Sequence, residues 1–150
     1  VDSSIFYPLA FLGSGIMRMP YMRDVRRPVA FGLATDVGAG TSFSMLQTMG
    51  EAYKLQMLAG YKPSAAELFH LATRINADRL HLGDSIGALE AGKFADIVVL
   101  DPWATPVLSA RQDLSQSLED VLFSLLILGD DRAVRATYVA GHKVHDRLTA

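Results

Sequence analysis

Asp36 stands where an apolar segment runs out into glycine, in the order Gly32-Leu33-Ala34-Thr35-Asp36-Val37-Gly38-Ala39-Gly40-Thr41-Ser42. A carboxylate fixed at the end of a rigid strand can bind a metal ion or take a proton from water. Gly38 and Gly40 permit tight backbone turns, and Thr41 or Ser42 can cap a helix that follows. Aspartates also end strands simply as caps or turn residues, so Asp36-Val37-Gly38 alone leaves both readings open.

The elements that would position this carboxylate can be read around it. Val29, Ala30, Phe31, Leu33 and Ala34 form a short apolar run bounded by Pro28 and by glycines. Such a run suits a strand buried on both faces, as in a parallel sheet, with Asp36 at its carboxyl end. From about Phe43 to Ala59, Leu46, Met49, Tyr53 and Met57 recur at helical spacing and predict one buried helix face. Gly50 inside that helix costs about 1 kcal/mol against alanine, which implies close packing at this point. Glu51 beside Lys54 reads as a surface ion pair.

Gly60-Tyr61-Lys62-Pro63 predicts a turn, and Ser64 with Glu67 a capping box opening a helix to about Leu80, with Leu68, Leu71, Ala72 and Ile75 in the core. Ile86–Leu89 and Ala95–Leu100 read as strands joined through Gly92-Lys93, and Pro102 and Pro106 as the opening of a longer loop. Ser117 with Asp120 starts a further helix through Val121–Leu128 to the turn at Gly129-Asp130. That helix is apolar on more than one side and must be buried. Val134–Ala140 and Lys143–His145 predict a hairpin about Gly141-His142, with Tyr138 packed across it. Residues 1–28 read as a short extended piece followed by an irregular connection.

Composition narrows the chemistry. The 150 residues are half hydrophobic with a formal charge of -2, which implies neither nucleic acid nor an anionic membrane as partner. Arg18, Arg23, Arg26 and Arg27 cluster, but Asp24 interrupts them and they read as a solvated loop face. The absence of cysteine excludes disulfides and thiolate metal sites from this chain, including the Pro-Cys-x-x-Cys zinc site of cytidine-type deaminases. His70 and His81 lie in or at the end of a predicted helix, and His142 and His145 straddle the predicted hairpin turn with side chains pointing apart. No pair among these four predicts a zinc site. The longest apolar stretch is too short to span a bilayer, so a cytoplasmic protein is expected.

Two stretches carry a resemblance. The run through Asp36 and its continuation to Gln56 resembles the last barrel strand, loop and helix of the guanine deaminases within the amidohydrolase superfamily. Ile86-Gly87-Ala88-Leu89-Glu90-Ala91-Gly92-Lys93-Phe94-Ala95-Asp96-Ile97-Val98-Val99-Leu100-Asp101 resembles the superfamily's signature just beyond its barrel. The likeness extends from about Phe11 to Val144, whereas Val1–Ala10 departs from the family's Pro-Ser/Thr-Ser-Asn stretch. The chain is too short for a complete (β/α)8 barrel of ~250 residues, and its size and lack of an initiating Met suggest a fragment.

The resemblance implies an α/β fold: the last part of a (β/α)8 metal-dependent hydrolase barrel plus strands of the flanking small β domain. Residues 1–85 would end the catalytic barrel, 86–104 supply strands of the β domain, 105–130 a loop and helix on the barrel, and 131–150 a closing hairpin. It further implies Zn2+ as cofactor, a purine as substrate and a homo-oligomer, a dimer, as the full enzyme. Asp36 would be both metal ligand and catalytic proton acceptor in the deamination of guanine to xanthine and ammonia. The family's histidine ligands and purine-recognition residues lie in earlier segments, so this chain alone is expected to be inactive. Another amidohydrolase acting on a cyclic amidine, amide or chlorinated ring, and a noncatalytic interaction module, remain as alternatives.

Overall fold

The computed structural model describes residues 4–6 as backbone and residues 16–24, 26, 28–38, 40 and 42–148 in full. Two small sheets and a set of helices make up the described residues. β1 (Ser4–Phe6) and β2 (Phe31–Leu33) pair in parallel, Ile5 opposite Gly32. The extended piece expected near the start is therefore β1, and most of the segment that departs from the family pattern lies outside the described residues. β2 is shorter than the Val29–Ala34 run, yet all three of its residues are buried, as a strand covered on both faces requires. Between the two strands, α1 (Met19–Met22) replaces part of the expected irregular connection, started by Pro20 in the helix's first turn.

α2 (Met45–Leu58) packs its Leu46, Met49, Ala52 and Leu55 into the core. Met57, expected on that face, is instead 46% exposed. The buried face also carries Gln56, whose Oε1 accepts from the Met19 N–H at 2.9 Å and whose Nε2 donates to the Met17 carbonyl at 2.6 Å. The glutamine thus pins the segment around α1, and a polar side chain occupies the core because its hydrogen bonds are met. Glu51 and Lys54 form the expected ion pair at 2.8 Å.

The next helical rod runs unbroken through α3 (Ala65–His70), a π-helical turn (Leu71–Ile75) and α4 (Asn76–Arg79). Ser64 caps it through its Oγ, which accepts from the Glu67 N–H at 3.0 Å. Glu67 does not reach back to complete the box, because its carboxylate is held by Tyr61 Oη and pairs with Arg23. The first free N–H groups of α3 are met from another helix: the Glu119 carboxylate accepts from Ala65 and Ala66.

β3 (Ile97–Leu100), β4 (Val134–Val139) and β5 (His142–Asp146) form an antiparallel sheet in that order. The β4–β5 turn is Ala140-Gly141, one residue earlier than expected, with φ of +49° and +81°. Positive φ at both turn residues matches the twist of a two-residue hairpin. Ile86–Leu89 is not a strand. Gly87 has a φ of +89° and lies where a Cβ would meet Ala77 Cβ at 2.5 Å, so this stretch folds back onto α4. The loop expected after Pro106 is a helix, α5 (Pro106–Gln112), whose Thr105 Oγ1 accepts from the Leu108 N–H. Thr before Pro is a helix-start signature that outranks the reading of Pro as a breaker.

α6 (Leu118–Leu128) begins at Ser117 as expected and buries Ser124, Leu125 and Leu126. Its neighbours are α2, α3 and α5, and Phe123 meets Tyr53 edge to face with ring centroids 5.0 Å apart. Each fully buried leucine, such as Leu68, Leu108 or Leu126, contributes roughly 1.5–3 kcal/mol. Much apolar surface nonetheless stays open: Phe43, Val98, Val99 and Leu118 are exposed. No helix of the described residues is long and apolar enough to cross a membrane.

Candidate active site

Asp36 follows β2 by three residues, and the loop that carries it is built by glycine. Its backbone lies in the left-handed region at φ +47°, which aspartate tolerates better than most residues. The Gly40 N–H closes the turn on the Asp36 carbonyl at 2.5 Å, and Val37 bridges Gly40. Gly38 has a φ of +117°. A Cβ on Gly40 would sit 1.9 Å from the Thr35 carbonyl oxygen, so only glycine allows the loop to close this tightly.

The Asp36 side chain is exposed, and no described residue donates a hydrogen bond to its carboxylate. Among the described residues nothing occupies either oxygen, and each could take a metal ion or a water proton. The helix beyond is capped by Ser44, whose Oγ accepts from the Gln47 N–H at 3.3 Å. Thr41 lies outside the described residues, and Ser42 instead accepts from the Ser44 N–H at 3.0 Å. The cap falls at Ser44 because that residue, with extended dihedrals, directly precedes the first helical turn.

Sequence reasoning missed Asn76. Its Oδ1 accepts from the Leu33 N–H at 3.0 Å and its Nδ2 donates to the Leu33 carbonyl at 2.6 Å. Gly32 makes room for it: a Cβ there would lie 1.9 Å from Asn76 Oδ1. A glycine inside a buried strand is the available signal, since it marks a close approach by another group.

The four histidines are exposed. His70 ends α3, His81 follows α4 in the left-handed region, and His142 and His145 lie on β5. Among the described residues no group of three or more His, Asp or Glu is placed to hold a metal ion. The donor set thus fits a metal as one oxygen ligand, Asp36, and not as a whole site. Of the arginine cluster, Arg18 lies over the Tyr21 ring, Arg23 pairs with Glu67 and Arg26 pairs with Asp24, while Arg27 lies outside the described residues.

The signature stretch after Ile86 has structural work. Lys93 Nζ donates to the Gly83 carbonyl and pairs with Glu90 at 3.3 Å. The Asp96 carboxylate accepts from the Ala140 N–H at 2.7 Å, tying β3 to the hairpin turn. Asp101 accepts from Arg147 at 2.5 Å and from the Trp103 N–H, and these bonds hold its carboxyl below the usual carboxylate range.

A carboxylate presented through a glycine-closed loop just past the carboxyl end of a parallel strand stands where parallel barrels place their active-site residues. The chain belongs to the amidohydrolase family, whose model matches residues 11–144. It is 48% identical over 137 residues to a guanine deaminase of Escherichia coli, covering 91% of this chain and 31% of that protein. The solved E. coli guanine deaminase superposes with a TM-score of 0.91 at 47% identity, over 97% of this chain and 34% of that one. A guanine deaminase from Bradyrhizobium japonicum gives 0.85 at 30% identity, over 95% and 37%. An adenosine deaminase from Xanthomonas campestris with bound zinc gives 0.74 at 25% identity, over 97% and 32%. The chain spans about a third of the length of the proteins it matches.

Proposed function

We propose that this chain is the carboxyl-terminal part of a zinc-dependent guanine deaminase, which hydrolyses guanine to xanthine and ammonia. The observation that carries the reading is the 48% identity to a guanine deaminase across 91% of the chain, with Asp36 standing free at the end of a parallel strand. In this reading β1 and β2 are the final strands of a (β/α)8 barrel and residues 1–85 close it. Residues 86–104 and 131–150 belong to the flanking β domain, and 105–130 pack on the barrel. The groove lined by Phe43, Leu46, Leu126, Val98 and Leu100 is then a face that the remainder of the enzyme covers. A cytoplasmic dimer completes the reading.

Asp36 contributes one ligand, and the others come from the rest of the enzyme. A carboxylate oxygen suits zinc, and the similar Xanthomonas protein has zinc bound. The chemistry zinc supplies when bound is activation of water at neutral pH, by lowering its pKa toward ~7. Asp36 accepts the proton that the attacking water loses as its oxygen bonds to the ring carbon bearing the amino group. It then delivers that proton to the departing nitrogen as the C–N bond breaks. Gly38 and Gly40 shape the loop without taking part in the chemistry.

In the full-length enzyme, Asp36→Ala is expected to lower kcat on guanine at least ~100-fold while the protein stays folded. Near-normal turnover, or a preference for another ring over guanine, would overturn the assignment.

A further inference from the structure

We infer that Asn76 is a positioning residue for Asp36, an inference that rests on the role proposed for Asp36. In a sheet, a strand is held in register because a neighbour satisfies the N–H and C=O of the same residue. Leu33 stands opposite Phe6 in the pairing of β2 with β1, and its own N–H and carbonyl are met by a side chain: the Asn76 amide accepts from the Leu33 N–H at 3.0 Å and donates to its carbonyl at 2.6 Å. Among side chains, a primary amide offers a donor and an acceptor side by side, the pattern of a peptide edge. Aspartate keeps the acceptor and loses the donor, and leucine has neither.

Asn76 is itself fixed. It follows the π-helical turn Leu71–Ile75, and its Nδ2 also donates to the Ala72 carbonyl at 3.3 Å. A π turn carries an extra residue, which rotates the face presented by the residues after it by roughly 100° relative to an uninterrupted α-helix. The partner position has adapted as well, because the missing Cβ of Gly32 leaves the space that Oδ1 fills. Leu33 lies three residues before Asp36, about 10 Å at extended spacing. The clamp therefore sits on the last rigid point before the loop, where a shift in register would displace the carboxylate directly.

The test uses the full-length enzyme. Asn76→Ala is expected to lower kcat about 10- to 100-fold per bound zinc, the range for groups that orient a metal ligand, with KM for guanine nearly unchanged. Exchange of the Leu33 amide with solvent is expected to speed up in the same variant, a readout independent of turnover. Should Asn76→Ala fail to fold, Asn76→Asp, which keeps one of the two bonds to Leu33, is expected to show a smaller loss of kcat and the same sense of change at the Leu33 amide. Gly32→Ala, which pushes the amide away, is expected to reproduce the loss, and Gly32→Ala with Asn76→Ala to be no worse than the weaker single variant. Unchanged kcat per zinc in a folded Asn76 variant, or strictly additive losses in the double variant, would overturn the clamp. Activity retained by Asp36→Ala would instead overturn the role of Asp36, so the two failures are separable.

Discussion

Gly50 of α2 meets the backbone of α6 at Leu126: a Cβ added to the glycine would lie 2.6 Å from the Leu126 carbonyl oxygen. The two helices approach this closely only because the side chain is missing. Gly50→Ala would ordinarily stabilise a helix by about 1 kcal/mol. Here the obstacle is backbone and cannot rotate away, so a net loss of about 1–3 kcal/mol is expected, measured as a lower urea midpoint. A stabilised variant would show that the helices can part at little cost.

Gln112 and Ser124 form a buried polar pair between α5 and α6. The Gln112 amide donates to Ser124 Oγ at 2.6 Å, and Ser124 donates to the Val121 carbonyl at 2.8 Å. Gln112 Oε1 is buried with no partner among the described residues. Ser124→Ala is expected to destabilise by about 1–3 kcal/mol by stranding the amide. Gln112→Leu with Ser124→Ala is expected to recover most of that loss, because both polar groups then go. Equal losses in the single and double variants, compared by thermal denaturation, would count against the pair.

Gly40→Ala in the full-length enzyme should act on the loop and not on the core. The added carbon would stand 1.9 Å from the Thr35 carbonyl oxygen, so the turn that holds Asp36 must open. At least a tenfold fall in kcat is expected, with a melting temperature close to that of the parent. A variant with parental kcat would show that the carboxylate does not depend on this closure.

The closing hairpin is expected to weaken in acid. Asp101 is held by Arg147, and Asp146 by Lys143 and Arg135, and both carboxyls lie below their ordinary value. A carboxylate whose folded pKa is depressed adds stability that is present above the unfolded value of about 4 and is lost as pH falls through the folded value. Protection of the β4 and β5 amides, taken as the exchange rate relative to the intrinsic rate at each pH, should therefore be steady between pH 5 and 8 and fall below about pH 4. Asp101→Asn with Asp146→Asn should flatten that acid limb; a limb that persists unchanged would assign it to other groups.

Local signals in the sequence carried far. Ser64 and Ser117 announce helices because a cap is an interaction over three residues, written into adjacent positions. Gly50 announced close packing because a helical glycine needs a reason to be there. The position of Asp36 after a buried strand, in a turn closed by glycine, was legible for the same cause, since the strand, the carboxylate and the glycines are contiguous. What the tertiary structure alone decided depends on partners distant in sequence. Asn76 reaches Leu33 across 43 positions and Gln56 reaches Met19 across 37. Ile86–Leu89 has the composition of a strand, yet contacts with α4 at Ala77 fold it back. β propensity describes a residue's fit to a half-buried pleated surface, and whether that surface exists is settled only by what packs beside it.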